Sequence, residues 1–178
     1  MKNLIQQEVL KVKDIADHTV LDQFLRQLNS GKGLSKQSNP TDHFCAFFIP
    51  IDRKKKTMFL GHHIKANSWI PPGGHIDEGE NPIQTIKREF KEELQHTLTT
   101  EKIELFTLSI IHIDNPKFTC KTHYDFWYLV FIDEQNFMYD KREFYDTKWV
   151  PLADIDTVVT HEVYIPLMKK LKQKLLKI

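Results

Sequence analysis

Cysteine, glycine and any excess of one charge are scarce in this sequence. Its 178 residues hold only two cysteines, Cys45 and Cys120, too few for a disulfide framework and not placed as a metal knuckle. Lys and Arg total 25 against 24 Asp and Glu, a formal net charge of +1 with neutral histidines. No whole-surface field therefore draws in a nucleic-acid polymer or an anionic membrane. No apolar run approaches the ~18 residues that a membrane-spanning helix requires. Glu8, Lys11, Lys13 and Asp14 interrupt the place where the apolar core of a secretory signal would lie. Internal repeats and low-complexity tracts are absent as well. The expectation is a cytoplasmic protein in a reducing compartment, with neither a membrane nor a nucleic-acid polymer as partner.

What is present is globular. Hydrophobic residues make up 40% and charged residues 28%, with 12 Phe, which supplies enough apolar mass for a core. The length suits one domain with a small appendage. Leu4, Ile5, Val9, Val12, Ile15 and Ala16, then Leu21, Phe24, Leu25 and Leu28, recur at helical steps over residues 2–28. A break between Asp14 and Thr19 is allowed for, with Thr19 capping a second helix. Residues 29–40 are rich in turn formers and read as a linker, or else a long ordered loop. Short apolar and aromatic runs then suggest strands at Phe44–Ile51 and Thr57–His63, joined as a hairpin by the charged stretch Asp52–Lys56. Further strands are expected at Glu104–Ile113, His123–Ile132 and Thr147–Val150, and helices at Asn81–Leu94 and His161–Leu176. Lys169, Lys170, Lys172, Lys174 and Lys177 give the last helix a solvated cationic end. Strands around one helix with another at the end indicate an α/β (α+β) domain.

The chemistry is concentrated between Trp69 and Leu94. Pro71 and Pro72 stiffen the entry to a loop, and Gly73-Gly74 opens backbone conformations closed to other residues. Asn81 is a good N-cap, Pro82 suits the first helical position, and Gln84 stands where a capping box wants Glu or Gln. On the helix that follows, Ile83, Ile86, Phe90 and Leu94 share an apolar stripe, while Glu89, Glu92 and Glu93 share a second. Like charges at this spacing destabilise a helix by about 0.2–0.5 kcal/mol per pair. Arg88 is the neighbouring cation available to offset them. Such a cluster is either a solvated acidic face or a site for a hard cation, Mg2+ or Mn2+, whose binding relieves the repulsion.

The spacing resembles the signature of the Nudix hydrolases: Gly74, five residues, Glu80, seven residues, then Arg88-Glu89-Phe90-Lys91-Glu92-Glu93. At ordinary residue frequencies six fixed positions match by chance on the order of once in ten million starting points, which decides against the plain acidic face. Two positions depart from the pattern, Gln95 where the family usually has Gly and His96 where it usually has an aliphatic residue. A Gln in place of the helix-closing Gly costs about 1 kcal/mol or lengthens the helix. The likeness extends over residues 43–160, including Ser68-Trp-Ile-Pro-Pro-Gly-Gly-His before the box and Lys148-Trp-Val-Pro-Leu after it.

The resemblance implies a Nudix fold, with a mixed β-sheet sandwiched between helices over residues 41–178, and residues 1–40 as a helical extension and linker. It implies hydrolysis of a nucleoside diphosphate linked to another moiety (NDP-X), dependent on Mg2+ or Mn2+, by a monomer or homodimer. Glu89, Glu92 and Glu93 would be catalytic and metal-binding, together with the Gly74 carbonyl, and Glu143 would be a further ligand from the loop before the closing strand. Arg88 would orient the carboxylates, with Glu80 and Gly73 supporting the site. For the substrate, His75 in the loop and the aromatic strand residues Tyr124, Phe126 and Tyr128 are candidates, each weighed against a core role. His43, His62, His63, His112 and His123 show no metal spacing. Residues 110–113, Ile-Ile-His-Ile, carry neither the Pro nor the Tyr that marks known subfamilies, and the coenzyme A and NADH motifs are absent. A nucleotide-binding or regulatory Nudix domain without hydrolysis is the alternative; it is disfavoured because every carboxylate of the box is kept. An isomerase on the same fold would need a catalytic Cys in its own motif, which neither cysteine has.

Overall fold

The computed structural model describes residues 2–176; Lys177 lies outside them. The chain order is α1 (Lys2–Leu10), α2 (His18–Asn29), β1 (Asp42–Asp52), β2 (Thr57–His63), β3 (Ser68–Ile70), β4 (Gly73–His75), α3 (Pro82–Leu94), β5 (Lys102–His112), β6 (Thr122–Phe131), β7 (Phe144–Pro151), α4 (Ile155–Val158) and α5 (Ile165–Leu176). The strands form a seven-stranded mixed sheet flanked by helices, with path β3-β2-β1-β6-β5, β4 paired with β1 and β7 with β2. Two compact units share the chain. One comprises residues 2–48, 73–89 and 104–128, the other residues 49–72, 90–103 and 129–176.

In the first unit the N-terminal helices are part of the core. The Asp17 carboxylate caps α2 by accepting from the N–H groups of Thr19 (2.8 Å) and Val20 (3.2 Å), so the cap is Asp17 and not Thr19. Asp17 fits because it stands at the N-cap position with extended backbone, from which its carboxylate reaches the second and third amides of the first turn. Phe24, fully buried, meets Phe44, Tyr124 and Phe126 edge-on at centroid distances of 5.4–5.6 Å. Residues 29–40 are an ordered loop and not a free linker. Leu34 and Ser35 are buried, the Ser35 hydroxyl donates to Glu78 (2.5 Å), and Gln37 donates to Asp77 (2.6 Å). Antiparallel pairing of β4 with β1 sets Cys45 opposite His75, Ala46 opposite Gly74 and Phe47 opposite Gly73.

In the second unit β1 and β2 form the expected hairpin, with Ile51 opposite Met58 and Asp52 opposite Thr57. The Asp52 carboxylate closes its turn, accepting from the N–H groups of Lys54 (2.8 Å) and Lys55 (2.9 Å), and ties in Glu134 N–H (2.8 Å). β7 pairs along β2 from Thr57 opposite Pro151 to a bulge at His62/His63. Gly61 is required there because a Cβ would enter the ring of Phe144. Phe59, Phe137 and Trp149 form an aromatic cluster that also takes in Phe90. Leu167, Met168 and Leu171 bury the apolar face of α5, while Lys172 donates to Asp156 (2.8 Å).

Candidate active site

α3 begins as its sequence dictates. Asn81 Oδ1 accepts from Gln84 N–H (3.0 Å) and Gln84 Oε1 accepts from Asn81 N–H (2.9 Å), a reciprocal capping box. Just ahead of it, Glu80 Oε2 accepts from the Thr85 hydroxyl at 2.8 Å and from Asp77 N–H at 3.3 Å. These bonds fix where the Glu80 carboxylate lies, and Arg88, two turns along the helix, grips it. Nε donates to Oε1 at 2.9 Å and Nη2 to Oε2 at 3.0 Å. The same guanidinium donates to the His75 carbonyl at 3.0 Å and, through Nη1, to Glu89 Oε1 at 2.8 Å. One planar cation thus links the loop strand β4, the loop before the helix and the first carboxylate of the helix. A bidentate fork of this kind carries geometry as well as charge.

Burial would raise the Glu80 carboxyl, but its bonds to Arg88 and Thr85 hold it below the ordinary carboxylate value. Burial likewise opposes the charge of Arg88, yet Glu80 and Glu89 raise its value, so the Glu80–Arg88 pair stays charged at neutral pH.

Gly74 lies against the Glu89 carboxylate so closely that a Cβ would collide with Oε1. Glycine is needed at this point for close approach of backbone and carboxylate. Gly73 has φ +139°, and its missing Cβ would meet the Ala46 carbonyl and Phe47 Cα. Glu92 and Glu93 follow Glu89 at i+3 and i+4 on α3; Glu92 is exposed, and Glu93 is 5% exposed, deep for a carboxylate. The Gly74 backbone and the Glu89 carboxylate against it offer oxygen donors of the kind that suit a hard divalent cation.

α3 ends at Leu94, and Gln95 adopts φ +49°, the left-handed conformation usually given to glycine. The helix is not lengthened; the strained backbone is accepted. His96 stabilises this exit: its ring packs between Phe90 and Phe137, and Nε2 lies 3.5 Å from Glu101, which accepts from the N–H groups of Thr99 and Thr100.

A NUDIX domain model matches residues 42–171. The chain belongs to the Nudix family. An RNA pyrophosphohydrolase of a Nitratiruptor species is 34% identical over 105 residues, covering 53% of this chain and 65% of that protein, a little under two thirds of its length. Among solved structures, the E. coli dihydroneopterin triphosphate pyrophosphohydrolase superposes with a TM-score of 0.64 at 13% identity, covering 74% of this chain and 95% of that one. The NUDIX domain of Shewanella oneidensis NrtR, complexed with ADP ribose, gives 0.62 at 17%, covering 84% and 97%. A C. elegans Ap4A hydrolase gives 0.61 at 21%, covering 76% and 98%. At these identities the structures share the fold.

Not every residue expected at the Nudix site is placed as a ligand contact. Phe126 and Tyr128 are 0% and 1% exposed and belong to the core, Phe126 under Phe24 and Tyr128 with its hydroxyl on Glu8 (2.9 Å). They leave the substrate-binding set because the N-terminal helices cover this face of β6. Tyr124 packs on Phe24 and Phe44 and lines a cavity of about 500 Å³ with Thr19, Asp22, Gln23, Arg26, Gln27 and Ser30. Glu143 pairs with Lys65 (3.3 Å) and lies 3.7 Å from His63 Nε2. Its turn abuts α3 through Asp140 N–H, which donates to the Glu93 carbonyl at 2.8 Å. His75 gives its carbonyl to Arg88, but its ring packs against His43 and His123 and its Nε2 lies 3.8 Å from Cys120 Sγ.

Two buried groups escaped the sequence reading. Asp125 is fully buried, pushed up to about 8 by burial, and accepts from Ser109 (3.3 Å), whose hydroxyl accepts from Trp127 Nε1 (2.8 Å). His43 and His123 form the other; burial lowers both imidazoles from their ordinary value, His123 to about 3. The alternation of β6 put Asp125 and Trp127 on one face, but no local spacing marks what they meet.

Proposed function

We propose that this Nudix protein is a divalent-cation-dependent pyrophosphohydrolase acting on a nucleoside diphosphate linked to another moiety, by attack of water on one phosphorus of the diphosphate. The observation that carries this reading is the Arg88 clamp, which holds Glu89 against the Gly74 backbone at the start of an acidic helical stripe. Glu89, Glu92 and Glu93 with the Gly74 carbonyl are the proposed donor set. Glu143 is proposed as a further ligand, exchanging its surface pairing with Lys65 for the cation. Mg2+ or Mn2+ bound there would supply charge neutralisation of the diphosphate and an acidified water. Arg88 keeps the carboxylates in register, and Glu80 keeps Arg88 in place; Glu89 or Glu92 accepts the proton of the attacking water. Residues 41–178 carry this chemistry, with residues 1–40 as an extension packed into the first unit.

A small nucleotide is the proposed substrate class, because a net charge of +1 offers no field for a polymer. A 5′-phosphorylated RNA end, suggested by the name of the Nitratiruptor relative, is the competing class. The test is release of phosphate and pyrophosphate from nucleoside triphosphates, oxidised nucleotides, ADP-ribose, diadenosine polyphosphates, sugar nucleotides and triphosphate-ended RNA, with Mg2+, with Mn2+ and with chelator. Cation-dependent turnover of a free nucleotide is expected. Turnover confined to RNA would replace the substrate class. Absence of turnover throughout, in folded protein that binds the cation, would overturn the enzyme reading in favour of a nucleotide-binding domain.

A further inference from the structure

We infer that His43, His75, Cys120 and His123 form a tetrahedral site for a divalent ion of the zinc class, separate from the carboxylates of α3. One ligand atom from each of the four residues lies within 4.8 Å of every other. The three imidazoles are in mutual contact, with ring centroids 4.8, 5.0 and 5.1 Å apart. His75 Nε2 and Cys120 Sγ are already 3.8 Å apart. With metal–nitrogen bonds of about 2.0–2.1 Å and a metal–sulfur bond of about 2.3 Å, a tetrahedral site puts its ligand atoms about 3.3–3.6 Å from one another. Ligand atoms at most 4.8 Å apart would have to draw together, within reach of side-chain rotation, to enclose an ion.

The decisive feature is what the nitrogens lack. His43 is fully buried, and its Nδ1 lies 2.9 Å from the Asn39 carbonyl. A carbonyl can only accept, so Nδ1 carries the proton and Nε2 presents a lone pair. That Nε2 is buried without a hydrogen-bond partner, as is Nε2 of His123. Buried polar atoms are nearly always satisfied, and two orphaned nitrogens in one imidazole cluster point to a ligand that takes lone pairs. The Nδ1–H to carbonyl bond is the usual backing of a metal-ligating histidine. Nitrogen and thiolate donors without a carboxylate select zinc-like ions over Mg2+.

The four residues are far apart in sequence, and strand pairing assembles them. Cys45 opposite His75 sets His43, two residues earlier on β1, on the same face as His75. Lys121 and Thr122 both donate N–H to the Thr41 carbonyl, which docks the Cys120–His123 stretch beside the start of β1. A bound ion would pin β4 from the side opposite to Arg88, since His75 offers its ring to the cluster and its carbonyl to the guanidinium. The role is structural, holding the Gly73–His75 strand that sets Gly74 against Glu89.

The test uses the full chain without a histidine tag, stripped with chelator and titrated with Co2+ alone. Expected are the intense visible bands of tetrahedral Co2+ and a thiolate-to-Co2+ charge-transfer band, saturating at one equivalent and displaced by Zn2+. Cys120→Ser should abolish the charge-transfer band, and His123→Asn should weaken Co2+ binding by about 100-fold. Glu93→Gln should leave the spectrum unchanged, which separates this site from the oxygen donors of α3. Absence of tetrahedral bands in folded wild-type protein would overturn the inference, as would bands that survive in both Cys120→Ser and His123→Asn. Native mass spectrometry of the wild-type chain gives a second readout independent of the variants: one retained Zn2+ supports the site, and none after Zn2+ loading contradicts it.

Discussion

Arg88 shows how much one side chain can organise: four hydrogen bonds from its guanidinium reach Glu80, Glu89 and the His75 carbonyl at 2.8–3.0 Å. Lysine carries the same charge as a point and cannot reproduce the fork. Arg88→Lys is therefore expected to lower kcat by about 10- to 100-fold through misplacement of Glu89, with thermal stability changed by far less. Gly74→Ala tests the same placement from the opposite side, since the new Cβ collides with the Glu89 carboxylate. A similar loss of kcat is expected, read against a melting curve; unchanged turnover would mean that Glu89 is free to sit elsewhere. The Glu80–Arg88 contact could be expected from sequence through the resemblance to the Nudix box, which occupies one short segment. His43, His75, Cys120 and His123 could not, because their neighbourhood is made by strand register across the chain.

α3 is legible in sequence at its entry and unusual at its exit. The Asn81–Gln84 capping box follows from residue types alone, whereas the φ of +49° at Gln95 could only be posed as an alternative to a longer helix. His96 and its packing on Phe90 and Phe137 give the short helix its advantage. Gln95→Gly is expected to stabilise the protein by about 0.5–1 kcal/mol in urea unfolding, because glycine enters the left-handed region without a Cβ penalty. The β1–β2 turn carries a pH dependence. Main-chain N–H groups of Glu134, Lys55 and Lys54 hold the Asp52 carboxyl below its ordinary value. A depressed folded value adds stability that is present above the unfolded carboxylate value, about 3.9, and is lost as pH falls through the folded one. Asp52→Ala is thus expected to cost about 1.5–3 kcal/mol at pH 7, with the gap from wild type closing in acid. The N-terminal helices were visible as periodicity, but their docking was not. Their apolar stripes reveal burial and say nothing of the partner, which proves to be the Tyr124–Phe126 face of β6. Phe24→Ala is expected to destabilise by about 3–5 kcal/mol.

At the scale of the whole molecule, the fold class and the core strands follow from alternation and turn chemistry, with boundaries shifted by one to three residues. Which strands pair, and in what order, is a property to which local sequence is blind. Glu89, Glu92 and Glu93 lie on the continuous helix α3, and turnover is expected to depend on these carboxylates acting through a bound cation. The most direct measurement is kcat for wild type, Glu93→Gln and Glu89→Gln on the best substrate of the panel, across a Mg2+ titration with folding checked by circular dichroism. Turnover is expected to require Mg2+ and to fall by at least about 100-fold in Glu93→Gln, without loss of structure. Full turnover in Glu93→Gln at the same Mg2+ concentration would contradict that dependence.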